Sequence, residues 1–192
     1  MSGREAKGRE GAMKVLLRIY RHEHGRKVLE REEKLNTFVH NFGKLLEAIL
    51  RRAASTDETH TTDLVDSTGT TRTVVVKSPN GTDLFTYTSG QYSRTYIHLG
   101  TSSQTPTRDD YGPVSSYARV DGDTLYADGA VKISGSHTPS EDVVIREVCL
   151  EKEFYVSADA INHIFCLLRA VISDFTMYAN TTYTVEITIS LS

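Results

Sequence analysis

The sequence contains no tryptophan, only two cysteines and only four prolines among its 192 residues. Two cysteines are too few for a disulfide-dense scaffold, and neither has partners at the spacing of a zinc motif. Cys149 and Cys166 both lie in apolar runs, where an unpaired cysteine behaves as a small buried hydrophobe. A bridge between them stays open, because both could lie in neighbouring strands. No apolar run approaches the roughly 20 residues of a membrane span, so we expect no membrane partner.

The chain is long enough for one domain that needs neither a disulfide nor a metal to fold. Its charge is unevenly divided: residues 1–52 carry 13 Lys and Arg against 7 Asp and Glu, whereas the remainder carries 9 against 18. This asymmetry fits a solvated tail beside an ordinary acidic surface. It also fits head-to-tail packing of copies, or an arm that touches nucleic acid.

The first twelve residues, MSGREAKGREGA, are charged and contain no apolar run. A segment of this composition cannot bury itself, so we predict a flexible basic arm over residues 1–12 that becomes ordered only in an assembly. Glu5 and Glu10 interrupt its basic residues, which disfavours contact with nucleic acid. Residues 13–192 are predicted to form the single domain.

The segment 13–53 is predicted to form a hairpin followed by a helix. Val15, Leu17 and Ile19 alternate against Lys14, Arg18 and Arg21, which is the pattern of a half-buried strand. The sequence EHG suits a turn in which Gly25 supplies a positive φ. RKVLEREEKL is then the returning strand, although its weak pattern also allows a helix.

Helical spacing is clearest in the segment 37–52, which follows Asn36, a residue suited to an N-cap. Arg51 and Arg52 close the last turn, where cations oppose the negative end of the helix dipole. The side chains predicted to pack against the rest of the protein are Val39, Phe42, Leu46 and Ile49.

From about Thr56 onward, short β-prone runs follow one another, separated by turn sequences such as SPNGTD, DGD and SHTPSED. The runs are RTVVVKS, DLFTYTS, TYIHLG, SSYARV, TLYADGAVKISGS, VVIREVCLE and TYTVEITISLS. Such runs without alternating helices indicate an antiparallel sandwich or barrel. In the last run Val185, Ile187 and Ile189 alternate with polar residues, and we expect this strand to close the sheet.

One segment, SADAINHIFCLLRAVISDF, allows two interpretations. Ser157 could cap a helix, whereas HIFCLLRAVIS is rich in β-branched and aromatic residues and is long enough for a buried strand. Periodicity alone does not decide between the two.

No catalytic, cofactor-binding or metal-binding motif is recognisable in the sequence. The LGTSSQT loop has neither the GxxxxGK[ST] pattern nor a following helix that could bind phosphate. Asp109 and Asp110 are adjacent, so in an extended chain they point in opposite directions and cannot act as a pair. His22 and His24 could share one face of a strand, but without a third ligand they indicate a hairpin tip. We therefore predict a protein that is not an enzyme.

Five segments follow one another in an order that is typical of a known family. They are NTFVHNFGKLL (36–46), YIHLGTSSQTPTRDDYGP (96–113), REVCL (146–150), LLRAVIS (167–173) and NTTYTVEITISL (180–191). The sequence resembles a family of small structural proteins of tailed phages and archaeal viruses. That family has an N-t-x-V-x-N-x-G-x-x-L-L helix start, an I-x-L-G-T-G-T-T-A-P-T-x-x-D loop, an E-V-G-L strand and an L-L-x-R-x-V strand. Cys149 stands where the family prefers glycine, and SSQ replaces a Gly-Thr pair.

The resemblance implies a mainly β protein, an antiparallel β-sandwich with one N-terminal helix, in which LLRAVIS is a strand. It implies a virion protein of the tail, neck or capsid surface, without catalysis or cofactor. We expect it to assemble with copies of itself into a symmetric ring, tube or lattice and to contact other virion proteins. The loop is then an ordered connection in which Gly100 leaves the strand, Pro106 stiffens the turn and Asp109 belongs to a turn.

A different function stays open, namely a carbohydrate- or receptor-binding β-sandwich module on the virion surface. Ten tyrosines allow it, because aromatic side chains often form the platforms on which sugars bind.

Glu147 and Arg169 are charges placed inside apolar runs, VVIREVCL and CLLRAVIS. The family pattern carries the same charges at both positions. We hypothesise that the two side chains pair across the sheet, shielded from water. The alternative is that both point to the solvent face of an alternating strand and never meet.

Overall fold

The computed structural model describes residues 13–35, 37–52, 61–75, 94–156 and 158–191. The predicted arm over 1–12, the DLFTYTS strand and the cap residue Asn36 lie outside the described residues. Within the described part, the chain forms eleven strands and one helix. In chain order they are β1 Met13–Glu23, β2 Arg26–Leu35, α1 His40–Arg52, β3 Thr61–Val65, β4 Thr71–Val75, β5 Thr95–Gly100, β6 Ser116–Asp121, β7 Asp123–Ala127, β8 Ala130–His137, β9 Val143–Val156, β10 Ile161–Met177 and β11 Tyr183–Leu191.

The strands form three antiparallel sheets. One has five strands in the order β2-β1-β11-β8-β7, a second has four in the order β10-β9-β5-β6, and the third is the β3–β4 hairpin. The prediction of a mainly β protein with antiparallel sheets and one helix is therefore confirmed. The described helix is neither long enough nor apolar enough to cross a membrane.

One hydrophobic core lies between the five-stranded and the four-stranded sheets. Both sheets contribute to it: Leu17 and Ile187 come from the first, and Ile97 and Val148 from the second. In β11 the predicted alternation is present, since Val185 and Ile187 are fully buried. The expectation that this strand closes the sheet is wrong. β11 lies in the centre of the sheet, because one of its edges pairs with β1 and the other pairs with β8.

The predicted N-terminal hairpin is confirmed. β1 and β2 pair from Glu23 opposite Arg26 to Val15 opposite Leu35, so RKVLEREEKL is a strand. The turn between them has φ values of 48° at His24 and 76° at Gly25. Positive φ at both positions is typical of the tight turns that match strand twist, which is why glycine is favoured there.

Helix α1 begins at His40, three residues later than predicted, and packs with β3 and β10. Leu45 is buried, and Phe42 and Ile49 pack around the same apolar cluster. The prediction for Leu46 is wrong, because its side chain is 39% exposed. Leu45 occupies the buried face instead, one position earlier along the helix.

The segment that periodicity left open between helix and strand is a strand in the structure, and one predicted β-prone run is divided into two strands. LLRAVIS belongs to the long strand β10, whose pairing with β9 shifts register twice, once between Cys166 and Leu168 and once between Val171 and Phe175. TLYADGAVKISGS, predicted as one run, is divided into β7 and β8. The division falls at Asp128 and Gly129, which have φ values of 54° and 74° and form the turn of a hairpin.

Candidate functional site

The outward face of the four-stranded sheet carries charged side chains where a covered sheet would usually carry apolar ones. All four strands and the segment between β5 and β6 contribute to this buried charge cluster, which consists of His98, Asp110, Arg119, Glu147, Glu151 and Arg169. On β9 successive side chains point to opposite faces, so Val148 enters the core while Glu147 points away from it. Its three central charges, Glu147, Glu151 and Arg169, are nevertheless 0% exposed, while Arg119 lies at the rim. Residues 101–115, the covering loop, bond to Glu147 and Arg169.

Glu147 and Arg169 form the centre of the cluster. Both are 0% exposed, the Arg169 Nε donates to Glu147 Oε2 at 2.8 Å, and Nη2 lies 2.7 Å from the same oxygen. Burial by itself lowers the pKa of Arg169, but the hydrogen bonds to Asp110 and Glu147 outweigh it and raise that pKa. The structure therefore places the two charges together and out of solvent, as the pairing hypothesis proposes.

The Glu147 carboxylate also holds both ends of the covering loop. It accepts hydrogen bonds from the backbone amide of Ser102 at 3.2 Å, from Val114 at 3.1 Å and from Ser115 at 2.8 Å. A buried carboxylate needs such donors, because an unpaired charge in the interior is very costly. The same contacts satisfy loop amides that have no strand partner. Glu147 thus acts as the anchor of a long irregular connection.

Gly100, the last residue of β5, lies against this anchor. A Cβ at Gly100 would stand 2.6 Å from Glu147 Cγ and 2.6 Å from the Ser115 carbonyl oxygen. Neither atom can move away easily, because Glu147 is held by its hydrogen bonds to the covering loop and the Ser115 oxygen belongs to the backbone. Glycine is therefore required here by the close approach of Glu147.

Asp110 fixes the middle of the covering loop. Its carboxylate accepts from the Arg169 Nη1 at 2.7 Å and from the amide and hydroxyl of Thr107, both at 2.8 Å. Burial by itself raises the pKa of Asp110, but these hydrogen bonds outweigh it and the pKa is lowered. Arg169 Nη2 adds a bond to the Gln104 carbonyl oxygen at 2.9 Å.

Asp109, which the sequence assigned to a turn, does lie in a turn with Arg108, but its side chain is not part of the cluster. The Asp109 side chain is 89% exposed and lies 3.7 Å from His40, whereas its neighbour Asp110 points inward to Arg169. Adjacent residues point in opposite directions, so only one of the two can reach the buried guanidinium. Pro106 is half-buried within the same loop.

The other half of the cluster is centred on Glu151, which is also 0% exposed. One carboxylate oxygen lies 2.9 Å from His98 Nδ1, and the other accepts from Arg119 Nε at 2.7 Å. Because an ionised carboxylate only accepts, Nδ1 of His98 carries the proton. His98 Nε2 is then free to accept from the Ser116 hydroxyl, 2.7 Å away on the edge strand β6.

Ser116, His98 and Glu151 thus lie in the same order as the nucleophile, base and carboxylate of serine hydrolases. Two features oppose such chemistry. Arg119 already neutralises the Glu151 carboxylate, which weakens its support for a charged imidazole. The backbone amides of Val114 and Ser115 already donate to the Glu147 carboxylate, so they are not available to form an oxyanion hole. The chain of hydrogen bonds instead ties β6, β5 and β9 together.

The two cysteines lie beside the cluster and are free thiols. Cys149 and Cys166 are both 0% exposed and pack with Val39, the residue that precedes α1. Burial raises the pKa of the Cys149 thiol well above its ordinary value. A thiol of this kind is inert, which fits the interpretation as small buried hydrophobes.

A second buried carboxylate, Asp66, joins the β3–β4 hairpin to β10. It accepts from the amides of Thr68 and Thr70 at 2.9 and 3.0 Å and from Arg72 Nε at 3.0 Å. His163 Nδ1 on β10 lies 3.1 Å from it. Burial by itself raises the pKa of Asp66, but the hydrogen bonds outweigh it and lower that pKa strongly.

Metal binding finds no support among the described residues. No group of three or more His, Cys, Asp or Glu side chains within them could hold a metal ion. The His22 side chain lies 2.8 Å from the Thr184 hydroxyl near the end of β1, and His24 lies in the turn.

Three surface cavities have volumes of about 340, 380 and 420 Å³. Their lining includes His40, Arg108 and Asp123 but neither His22 nor His24.

Sequence reasoning missed four members of the buried charge cluster, namely His98, Asp110, Arg119 and Glu151. Strand alternation assigns His98, Arg119 and Glu151 to the face away from the core, where charged residues are ordinarily exposed to solvent. Asp110 lies in the covering loop, where charged residues are also common. Comparison with models of protein families, with curated proteins and with solved structures finds no match.

Proposed function

We propose that this chain is a non-enzymatic virion structural protein of the tail, neck or capsid surface. It is a β-sandwich that assembles with its own copies into a symmetric ring, tube or lattice. The observation that carries the proposal is the convergence of the family-like motifs: Gly100, Asp110, Glu147 and Arg169 come from three of them and meet in one cluster. The motifs that carry the resemblance are separate in the sequence, but their residues meet in the buried charge cluster.

The buried charge cluster holds the covering loop in one conformation. Loops of more than about 12–15 residues without secondary structure are uncommon and usually functional. The covering loop is fixed from below by Glu147, Arg169 and Asp110, while Tyr111 and Val114 stay 46% and 51% exposed. A loop that is already ordered loses little conformational entropy on binding, which favours a repeated protein contact. We infer that the covering loop is part of the surface that neighbouring virion proteins or copies contact.

Assembly of the purified full-length chain tests the proposal. Light scattering behind size-exclusion chromatography, together with electron microscopy, should show closed oligomers of uniform size as concentration rises. Arg169→Met should weaken assembly because it releases the covering loop. Arg18→Met, which removes an arginine whose side chain is 31% exposed on β1 of the other sheet and pairs with Glu32, is the matched control. A chain that stays monomeric at every concentration but binds a sugar on a glycan array would favour the carbohydrate- or receptor-binding alternative instead.

A further inference from the structure

Both edges of the five-stranded sheet have segments that are uncovered on both faces. In β2, every residue of Arg26–Glu30 is exposed, and in β7 every residue of Asp123–Tyr126 is exposed. Successive strand residues point to opposite faces, so continuous exposure means that the described part of the chain leaves both faces partly open. Each segment also lies at an edge, where its outward backbone groups have no strand partner among the described strands.

Large apolar side chains are exposed at the same two places. Val28 and Leu29 on β2 are 38% and 49% exposed, and Leu125 and Tyr126 on β7 are 61% and 73% exposed. Natural proteins usually protect the edges of their sheets with charges or short strands, because such edges template pairing with another chain. Two edges with apolar residues on both faces are therefore candidates for pairing.

The two edge strands begin with opposite charges. Arg26 and Lys27 begin β2, before Glu30, Glu32 and Glu33 in the same strand, whereas Asp123 begins β7 and is flanked by Asp121 and Asp128. The division agrees with the whole sequence, in which residues 1–52 have six more basic than acidic residues and the remainder has nine fewer. Opposite charges favour contact between the two different edges, whereas two acidic β7 edges would repel each other.

We propose that β2 of one copy pairs with β7 of the next, so that the five-stranded sheet continues from copy to copy. This inference rests on the proposed assembly and names the surface that makes it. The contact joins two different surfaces, which makes it heterologous, and a repeated heterologous contact generates rings when the rotation closes.

The strand directions define the geometry of that contact. Four antiparallel steps separate β2 from β7, so the two strands run in the same direction and pair in parallel in a cyclic assembly. Placing Leu29 of one copy beside Leu125 of the next joins two side chains that point away from the core, and it also places Lys27 beside Asp123, since each is two residues earlier in its strand. The register thus joins apolar with apolar and basic with acidic.

This register requires a stagger between copies. Leu29 lies opposite Tyr20 of β1, whereas Leu125 is level with Leu16 through β8 and β11, a difference of four positions. Four residues at about 3.3 Å and five strands at about 4.8 Å give a stagger of about 13 Å over a width of about 24 Å. Strands in the ring are then inclined by about 29° to its axis, a shallower tilt than the range of about 35–45° typical of closed barrels.

Engineered disulfides in the full-length chain test this pairing. Both native cysteines are fully buried, so a cross-link reports on the introduced residues. The double variant Leu29→Cys, Leu125→Cys should give a ladder of covalent oligomers on mild oxidation, because neighbouring strand residues satisfy disulfide geometry. Each single variant should stay monomeric on a non-reducing gel. Dimers of Leu125→Cys alone would overturn the proposal in favour of symmetric β7–β7 pairing.

Charge reversal gives a second test that does not depend on oxidation. Lys27→Glu and Asp123→Lys should each lower the assembled fraction by about tenfold or more, and their combination should restore it. Assembly without the cross-link ladder, or without rescue in the combined variant, would overturn the edge pairing while leaving the proposed function intact. Absence of assembly at any concentration would overturn both.

Discussion

Gly100 lies so close to Glu147 that a single added carbon would stand 2.6 Å from the glutamate's Cγ. Gly100→Ala should therefore displace Glu147 or the Ser115 backbone, and we expect the free energy of unfolding to fall by about 1–3 kcal/mol. Urea denaturation followed by circular dichroism measures the change. Gly43→Ala is the control, because nothing lies within 4 Å of its position in α1 and it should stabilise by about 0.5–1 kcal/mol. Equal effects of the two variants would contradict the close approach.

Removing either partner of the buried pair should be costly. Glu147→Gln or Arg169→Met leaves an uncompensated buried charge, and we expect each to reduce the free energy of unfolding by about 3–5 kcal/mol. In the double variant the loss should be smaller than the sum of the two single losses. Arg146→Met, which breaks a partly exposed pair with Asp174, should cost less than about 1 kcal/mol. Small, additive losses for Glu147 and Arg169 would show that the pair is not buried.

Acid should weaken the covering loop through Asp110. Its pKa is lower in the folded chain than in the unfolded one, so the unfolded state binds more protons as pH falls. The stabilisation is complete above about pH 4, the ordinary pKa of aspartate, and is lost as pH decreases through the folded value. The free energy of unfolding measured from pH 6 down to pH 2 should fall less steeply in Asp110→Asn.

The neighbouring variant Asp109→Asn is the control for this experiment. It removes the same charge from a side chain that is 89% exposed and does not contact Arg169. Identical pH profiles for the two variants would mean that net charge, not the contact with Arg169, causes the effect.

Ser116 should not behave as a catalytic nucleophile. A fluorophosphonate probe, which reacts with activated serines, should label the native chain no more than it labels Ser116→Ala. The reason is that Arg119 shares the Glu151 carboxylate with His98. Stoichiometric labelling of the native chain that disappears in Ser116→Ala would contradict the non-enzymatic proposal.

The thiols should be hidden in the folded chain. Cys149 and Cys166 are fully buried, so a thiol reagent should react with neither of them at neutral pH and with both after denaturation. Titration of free thiols with and without urea measures the difference. Rapid modification of the native protein would show that the region around Val39 opens.

Local patterns in the sequence were sufficient to predict the β1–β2 hairpin and its Gly25 turn, because these depend on neighbours in the chain. They were sufficient for α1, although the burial of Leu45 in place of Leu46 depends on how the helix is rotated against β3. The place of β11 at the centre of its sheet could not be predicted, since alternation reveals which side chains are buried but not which strands are adjacent.

The candidate site shows the same limit. Charges inside apolar runs identified Glu147 and Arg169, but no local signal separates Asp110 from Asp109. The choice depends on the course of the covering loop, which Glu147 determines from a distant part of the chain. Glu151 and His98 meet for a similar reason, because β5 and β9 pair across a long sequence separation.

The central position of β11 also has a consequence for biosynthesis. Met13 pairs with Leu191, so one edge of β1 stays unpaired until β11, the last described strand, has been synthesised. Until β11 leaves the ribosome, the nascent chain presents two open edges, on β1 and on β8, with apolar side chains beside both. Pairing over such sequence separations is slow, and unpaired edges are prone to aggregate. Yield in the cell should therefore depend on chaperones that shield these edges between the synthesis of β8 and the release of β11.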